Sequence, residues 1–286
     1  MSKYKLLLAV FPLFLTIACT QKDINSNNNQ QVTNIPIIVA KPETILSQEA
    51  CLNPNKESNC YSFKYNILTT QVDWLDNIFR NEACLDLSYE LQNKQCPNAN
   101  LQQLAKDFTA QKIKDMQEVL AVAPEMASAD EYDVTWNFVG QKNNLVQFRK
   151  DEYSYGMGAA HGQYANVFRI FDLEKQKELK LDDIILDKNK FYQALKKSYV
   201  DYYLENLSQH DDCGDYSCKE NKARQAAEQI FPSSDEEYQE ISFQLTADGV
   251  VFYFQPYAIG SYSEGIIELT IRKDDANGVI KDDYYK

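Results

Sequence analysis

Two histidines, His161 and His210, are all that this 286-residue chain contains. With no H-x-x-x-H spacing, a metal centre of the deacetylase kind, built from one Asp and two His, has no ligand set. No C-x-x-C pair occurs, which removes the common zinc arrangements. No G-x-S-x-G elbow occurs either, so the hydrolase serine that sits on such a turn is missing. Positive charge is also short: 29 Lys and Arg face 42 Asp and Glu, a net charge of −13. So acidic a surface repels nucleic acid and anionic lipid headgroups and draws in cationic partners. Nucleic-acid binding is excluded. The many acids could supply a carboxylate pair for glycoside hydrolysis, but nothing in their spacing singles one out.

What the chain does have begins at its start. Lys3 and Lys5 precede an apolar stretch from Leu6 to Ile17, which leads to Ala18-Cys19. A basic start, a short apolar run and a small residue before the cut make an export signal over residues 1–18. The run is too short for a membrane span, which needs about 20 apolar residues. Cys19 after the small residue resembles the lipobox of bacterial lipoproteins. That resemblance implies cleavage before Cys19, diacylation of its sulfur and attachment to a membrane through the lipid; the competing reading is an ordinary secretory signal. Under the sorting rule of Gram-negative lipoproteins, Thr20 implies the outer membrane, facing the periplasm. Losing residues 1–18 removes Lys3 and Lys5 and no acid, leaving 27 bases against 42 acids, a net −15.

Seven cysteines would be an awkward odd number outside the cytoplasm. With Cys19 lipidated, six remain in three sequence-local couples, which predicts Cys51–Cys60, Cys84–Cys96 and Cys213–Cys218 in an oxidising compartment. Each would close a short loop and add about 2–3 kcal/mol. No cofactor is called for.

Residues 19–45 are rich in Asn, Gln, Ser and Thr and read as a disordered tether. Residues 46–150 read as a first α+β unit. Tyr61 to Leu68 is a strand, Val72 to Phe79 a short helix, and the Cys84–Cys96 segment a stapled loop. Asn100 to Val122 is a helix that Pro124 follows. Tyr132, Val134, Trp136 and Phe138 alternate as a strand, and Asn143-Asn144 turns it into a hairpin returning through Leu145 to Tyr153. Residues 151–274 read as a second unit. Its elements are a strand at Val167–Leu173, helices at Lys188–Leu207 and Lys219–Ile230, a hairpin around Asp248-Gly249 and a strand at Gly265–Ile271. Residues 275–286 read as a polar tail that frays. The fold class is α+β, with antiparallel sheets, helices packed on one face of each, and two consecutive α/β subdomains.

Three stretches then resemble a known family. Tyr153-Ser-Tyr155-Gly156-Met157-Gly158-Ala159-Ala160-His161-Gly162 resembles its glycine-rich signature. Phe171-Asp172-Leu173 followed by Leu179-Lys180-Leu181-Asp182-Asp183-Ile184 is similar to its strand-turn element. Leu245 to Tyr262, with Gln255-Pro256-Tyr257 and Gly260, resembles its closing hairpin. The family is the extracytoplasmic domain of RsiV-type anti-sigma factors, which also accompanies the catalytic domain of PdaC-type peptidoglycan deacetylases. Residues 58–150 look like the more variable domain that precedes it. The resemblance implies recognition at the cell wall. In the anti-sigma proteins the domain binds lysozyme, and beside the deacetylase it is not the catalyst. The expected partners are therefore a lysozyme-like basic protein or a peptidoglycan fragment, bound without catalysis. The alternatives are an envelope enzyme acting on the glycan and a structural lipoprotein that docks another envelope protein.

The residues expected to meet a ligand are Tyr155, Gly156, Gly158, His161, Gly162, Tyr257 and Tyr262. Tyrosine rings stack on sugar faces and on cationic side chains; buried in a core they merely pack, and both readings stand for these three. Gly156, Gly158 and Gly162 supply positive φ or close backbone approach, to cradle a ligand or to shape a bend. His161 is either a ligand contact or general base, or a brace whose ring nitrogen ties its loop to a neighbouring carbonyl. Asp211-Asp212-Cys213-Gly214-Asp215 lacks the alternating ligands and closing Glu of a calcium loop, so it reads as a solvated disulfide loop.

Overall fold

The segment after Asn34 turns apolar, Ile35-Pro-Ile-Ile-Val-Ala40, and together with Ile45 it decides where the fold begins. Ile38 and Ile45 are both buried, and the Ile38 N–H donates to the Gln141 side-chain oxygen at 2.8 Å. Strand β1 (Lys41–Cys51) therefore starts inside the stretch over residues 19–45 expected to be tether. The computed structural model describes residues 35–52, 59–89, 96, 99–126, 129–206, 213–231 and 241–286. The leader, Cys19 and the rest of the expected tether lie outside the described residues, as does His210. No described helix is long and apolar enough to cross a membrane.

β2 (Cys60–Thr69) pairs antiparallel with β1, and Cys51 sits opposite Cys60, to which it is disulfide-bonded. Helix α1 (Asp73–Tyr89) buries Leu75, Phe79, Ala83 and Leu87, one residue per turn along a single stripe. It runs past the helix expected to stop at Phe79. Cys84 belongs to that buried surface, so the Cys84–Cys96 bridge is anchored at one end inside α1. α2 (Leu101–Val122) starts where Asn100 accepts a hydrogen bond from the Gln103 N–H, and Pro124 follows its end.

β3 (Asp130–Lys142) and β4 (Leu145–Tyr155) form the expected hairpin, with Asn143 left-handed at φ 55°. β5 (Gln163–Asp172) and the short β6 (Lys177–Glu178) complete a six-stranded sheet in the order β1-β2-β3-β4-β5-β6. One pair departs from the antiparallel expectation: β2 and β3 run parallel. Parallel neighbours need a crossover, and α1 and α2 supply it. After β6 come α3 (Leu181–Ile184), α4 (Lys188–Asn206) and α5 (Tyr216–Ile230). A three-stranded antiparallel sheet follows, made of β7 (Ser242–Leu245), β8 (Gly249–Phe254) and β9 (Ile267–Arg272), and then α6 (Lys273–Ala276). Cys218 lies in the first turn of α5, so the Cys213–Cys218 bridge ties down that helix start.

Two cores result. One lies between the large sheet and α1 and α2, with Phe63, Trp136 and Phe148 in it. The other gathers the small sheet with α4 and α5 around Phe191, Phe231 and Phe252. The subdomain border expected at residue 150 cuts through β4, and no border exists there. Side chains alternate across a strand, so the adjacent residues Ile170 and Phe171 of β5 enter different cores. Two glutamines sew the sheets together. Gln147 donates to the Leu245 carbonyl and accepts from its N–H, at 2.9 and 2.8 Å. Gln255 does the same to Asn166, at 2.7 and 3.0 Å. Residues Ile35–Lys286 accordingly form one compact unit. The polar tail does not fray: Ala276, Val279, Ile280 and Tyr285 are buried, and Ile280 bridges Ile185.

Candidate functional site

The turn after β4, the turn after β8 and the short helical turn Tyr262–Glu264 converge on one surface. His161 is at its centre. Its ring stacks on Tyr262 with centroids 3.7 Å apart, and Tyr257 flanks both rings. Nδ1 of His161 lies 3.0 Å from the Gly162 carbonyl, and the Tyr262 hydroxyl donates to the same oxygen at 2.6 Å. A carbonyl only accepts, so Nδ1 carries a proton, and Nε2 is hydrogen-bonded to the Tyr257 hydroxyl, 3.2 Å away. The histidine thus braces its own loop and aims a tyrosine at the same time. Among the described residues no carboxylate is hydrogen-bonded to His161, so the cluster has no charge-orienting third member of the kind a catalytic triad uses.

Tyr257 is the unusual member. It is 64% exposed and its backbone is left-handed, φ 71°, a conformation that bulky residues avoid. Pro256 ends the ladder just before it, so the strained turn carries the ring into solvent. Tyr164 meets Tyr262 edge-on, centroids 5.9 Å apart. Tyr153 closes over Gly162, where any side chain would come within 2.4 Å of the Tyr153 hydroxyl; that position requires glycine for close approach. Glu264 holds the last turn by accepting from the Ser261 N–H at 2.6 Å.

The structure brings together His161, Gly162, Tyr257 and Tyr262 of the expected residues. Gly158 has positive φ, 79°, in the loop leading to them. Tyr155 and Gly156 stand apart: the Tyr155 hydroxyl donates to the Ala159 carbonyl, and Gly156 has neither positive φ nor any neighbour that a side chain would meet. Tyr153 and Tyr164 were not singled out by sequence, although they sit opposite each other in the β4–β5 register.

Other motif residues prove architectural. Asp172 is buried at the β5 turn and accepts from Asn144 and from the backbone of Glu174 and Lys175. Burial works against its charge, and these bonds outweigh it, holding its carboxyl below the usual range. Asp183 accepts from Lys177 and from the Lys180 backbone, which likewise holds it low. Asp215 caps α5 by accepting from the Cys218 N–H at 2.8 Å; Asp211 and Asp212 lie outside the described residues. The one grouping of metal-type ligands among the described residues is Glu49 with Cys51 and Cys60. Those two sulfurs are bonded to each other, so they cannot ligate.

Under α1 runs a second electrostatic feature. Lys150 of β4 donates to Asp86 at 2.6 Å and lies 3.3 Å from Glu152, while the Tyr65 hydroxyl donates to the same Asp86 oxygen. Burial opposes the Lys150 charge, yet the two carboxylates raise its pKa. Arg169 of β5 is clasped by Glu178 and by Glu82 of α1. One turn of helix separates Glu82 from Asp86, so α1 is docked on the sheet by matched charges as well as by its apolar stripe.

Residues 173–274 match the family described as Protein of unknown function (DUF3298). No curated protein matches the sequence. Among solved structures, the chain is similar to a DUF3298 family protein from Pseudomonas aeruginosa PAO1, at 18% identity and a TM-score of 0.56, over 88% of this chain and 98% of that one. It is also similar to a member of that family from Bacteroides fragilis NCTC 9343, at 16% identity and a TM-score of 0.57, over 86% and 95%. At such identities the likeness is one of fold. It extends well beyond the matched segment, which starts after β5 and leaves out the Tyr153–Gly162 stretch. The matched family is related to the domain that the motifs resemble.

Proposed function

We propose that this chain is a non-enzymatic lipoprotein of the cell envelope that binds a cell-wall-related ligand, either a lysozyme-like cationic protein or a peptidoglycan fragment. The observation that carries the reading is Tyr257, held out into solvent on a strained turn and aimed by His161. A rigid aromatic presented this way costs little conformational entropy on binding and suits a sugar face or an arginine side chain. The net charge, −13 for the full chain and −15 without residues 1–18, supports a basic partner. The lipobox resemblance supports anchoring through Cys19, and the motif resemblance supports recognition without catalysis.

The test is retention of hen lysozyme and of a muropeptide mixture on immobilised protein, at low and moderate salt. The reading predicts retention of at least one of the two, with lysozyme retention falling as salt rises. Tyr257→Ala is expected to weaken that binding by about tenfold or more, as for a buried aromatic anchor. Retention of neither ligand, or equal retention by the variant, contradicts the reading.

A further inference from the structure

Among the described residues nine large apolar side chains are exposed, and four of them, Ile37, Val39, Phe138 and Val139, stand at one end of the large sheet. Single exposed apolar residues need no explanation, but a group of them marks a place of contact. Gln141 makes the four neighbours. Its amide donates to the Pro36 carbonyl at 2.9 Å and accepts from the Ile38 N–H at 2.8 Å. That fastens the lead-in of β1 against the end of β3, where Phe138 and Val139 lie. Alternation along the lead-in sends Ile38 into the core and leaves Ile37 and Val39 outside, 86% and 57% exposed. Packing accounts for Ile38 and not for its two neighbours. In β3 an irregularity between Phe138 and Gly140 breaks the alternation and leaves Val139 exposed.

Charge at this end runs against the rest of the chain. Residues 35–42 and 138–148 contain Lys41 and Lys142 and no acid, although acids outnumber bases 42 to 29 overall. Both lysines are exposed. The adjoining turn after β5, tied in by Asn144 through Asp172, adds Glu174 and Lys175, one charge of each sign. Exposed apolar side chains with lysines beside them fit a phospholipid surface, where the apolar groups enter the headgroup layer and the ammonium groups meet phosphate.

Chain length and topology point to the same occupant. Ile35 lies sixteen residues after Cys19, and a polar chain of that length has an end-to-end distance of about 20–24 Å. The chain enters the fold at this same end. The β3–β4 register pairs Lys142 with Leu145 here and Glu131 with Tyr155 at the other end, beside the His161 loop. The eleven residues of β4 put about 35 Å between the two ends.

We propose that this end of the sheet is a membrane seat. Ile37, Val39, Phe138 and Val139 enter the headgroup layer of the bilayer that holds the Cys19 lipid, Lys41 and Lys142 meet its phosphates, and the His161 surface is held on the far side. The proposal rests on the lipoprotein reading, since it needs the chain fastened at Cys19.

The experiment supplies that fastening chemically. The chain from Cys19 to Lys286 carries the whole described fold, which begins at Ile35. It is coupled through Cys19, the one cysteine outside the three bridges, to a maleimide phospholipid in phosphatidylcholine vesicles. A fluorescent amino acid is placed in turn at positions 37, 39 and 139, and at 122 and 257 as references. Val122 is nearly as exposed as Ile37, but it ends α2, shortly before β3 starts at the other end of the sheet. Quenching by lipids with a nitroxide near the headgroup reads contact with the bilayer. The seat predicts quenching at 37, 39 and 139 about threefold or more above that at 122 and 257. With the label at 139, Ile37→Ser with Val39→Ser should bring quenching down to the reference level. Both positions are surface, so melting should stay nearly unchanged. Equal quenching at all five positions, or none at 37, 39 and 139, overturns the proposal. So does a change in emission at 37 that appears without vesicles and grows with protein concentration, which assigns the face to a second copy. Mass spectrometry of Cys19 in protein isolated from cells reports separately on the lipoprotein reading: an unmodified Cys19 overturns that reading and the seat with it, whereas failed quenching overturns the seat alone.

Discussion

Asp130 carries an electrostatic cost in the fold, because burial opposes its charge. Burial raises its folded-state pKa above the value of about 3.9 for an unfolded chain. The native state therefore binds the proton more tightly, and this position stabilises the fold at acid pH. That contribution is lost as pH rises through the folded pKa. At neutral pH Asp130 is a net liability. Replacing it by Asn, which keeps an oxygen for the backbone donors, should raise the melting temperature at pH 7. The advantage should shrink on acidification and vanish near pH 3, where both states of the wild type carry the proton. Thermal melts of the two proteins across that range check this; a variant less stable at pH 7 contradicts this account of Asp130. Tyr257 is the parallel case, since its left-handed backbone also costs free energy that packing does not return.

At the scale of elements, the joint between the two sheets rests on side chains that imitate a strand. Gln147 pairs with the Leu245 backbone through both its donor and its acceptor. Gln147→Ala leaves a part-buried N–H and carbonyl without those partners and should cost about 1–3 kcal/mol. Chemical denaturation gives the value. Gln147→Glu, which keeps the acceptor but loses the donor, should fall between; an alanine variant of wild-type stability contradicts the clamp. Sequence alone could not reveal this joint, because a glutamine on a strand carries no mark of what its amide will meet. The same limit explains the parallel β2–β3 pair, which alternation cannot distinguish from an antiparallel one. Where an element is defined by its own periodicity, as with α2 or the β3–β4 hairpin, the residues alone were sufficient. Half of α1 was missed because Asn81 to Tyr89 mixes acids with Ala83, Cys84 and Leu87, whose buried stripe shows only once Leu75 and Phe79 are extended by fours.

At the scale of the whole, the residues from Ile35 onward gather around two cores that β5 joins. The tail shows how global packing overrides local composition: Asp274, Asp275, Asp282 and Asp283 suggest a solvated end, yet Ala276, Val279 and Ile280 fall at helical spacing and reach the second core. Of the candidate site, His161, Gly162, Tyr257 and Tyr262 were legible because glycine, proline and tyrosine crowd two turns far apart in the chain. Their convergence was not, since it depends on the register of β4, β5 and β8. Tyr155 and Gly156 share the first of those turns and still face elsewhere.

The central claim is that the His161–Tyr257–Tyr262 surface is where this protein grips its partner. Site-specific photocrosslinking in intact cells addresses it most directly, with a benzophenone amino acid placed at position 257 and, as a reference, at the exposed position 186. The account predicts a discrete adduct from position 257, to a basic protein or to cell-wall glycan, and none from position 186. Adducts of equal yield from both positions, or from 186 alone, would contradict it.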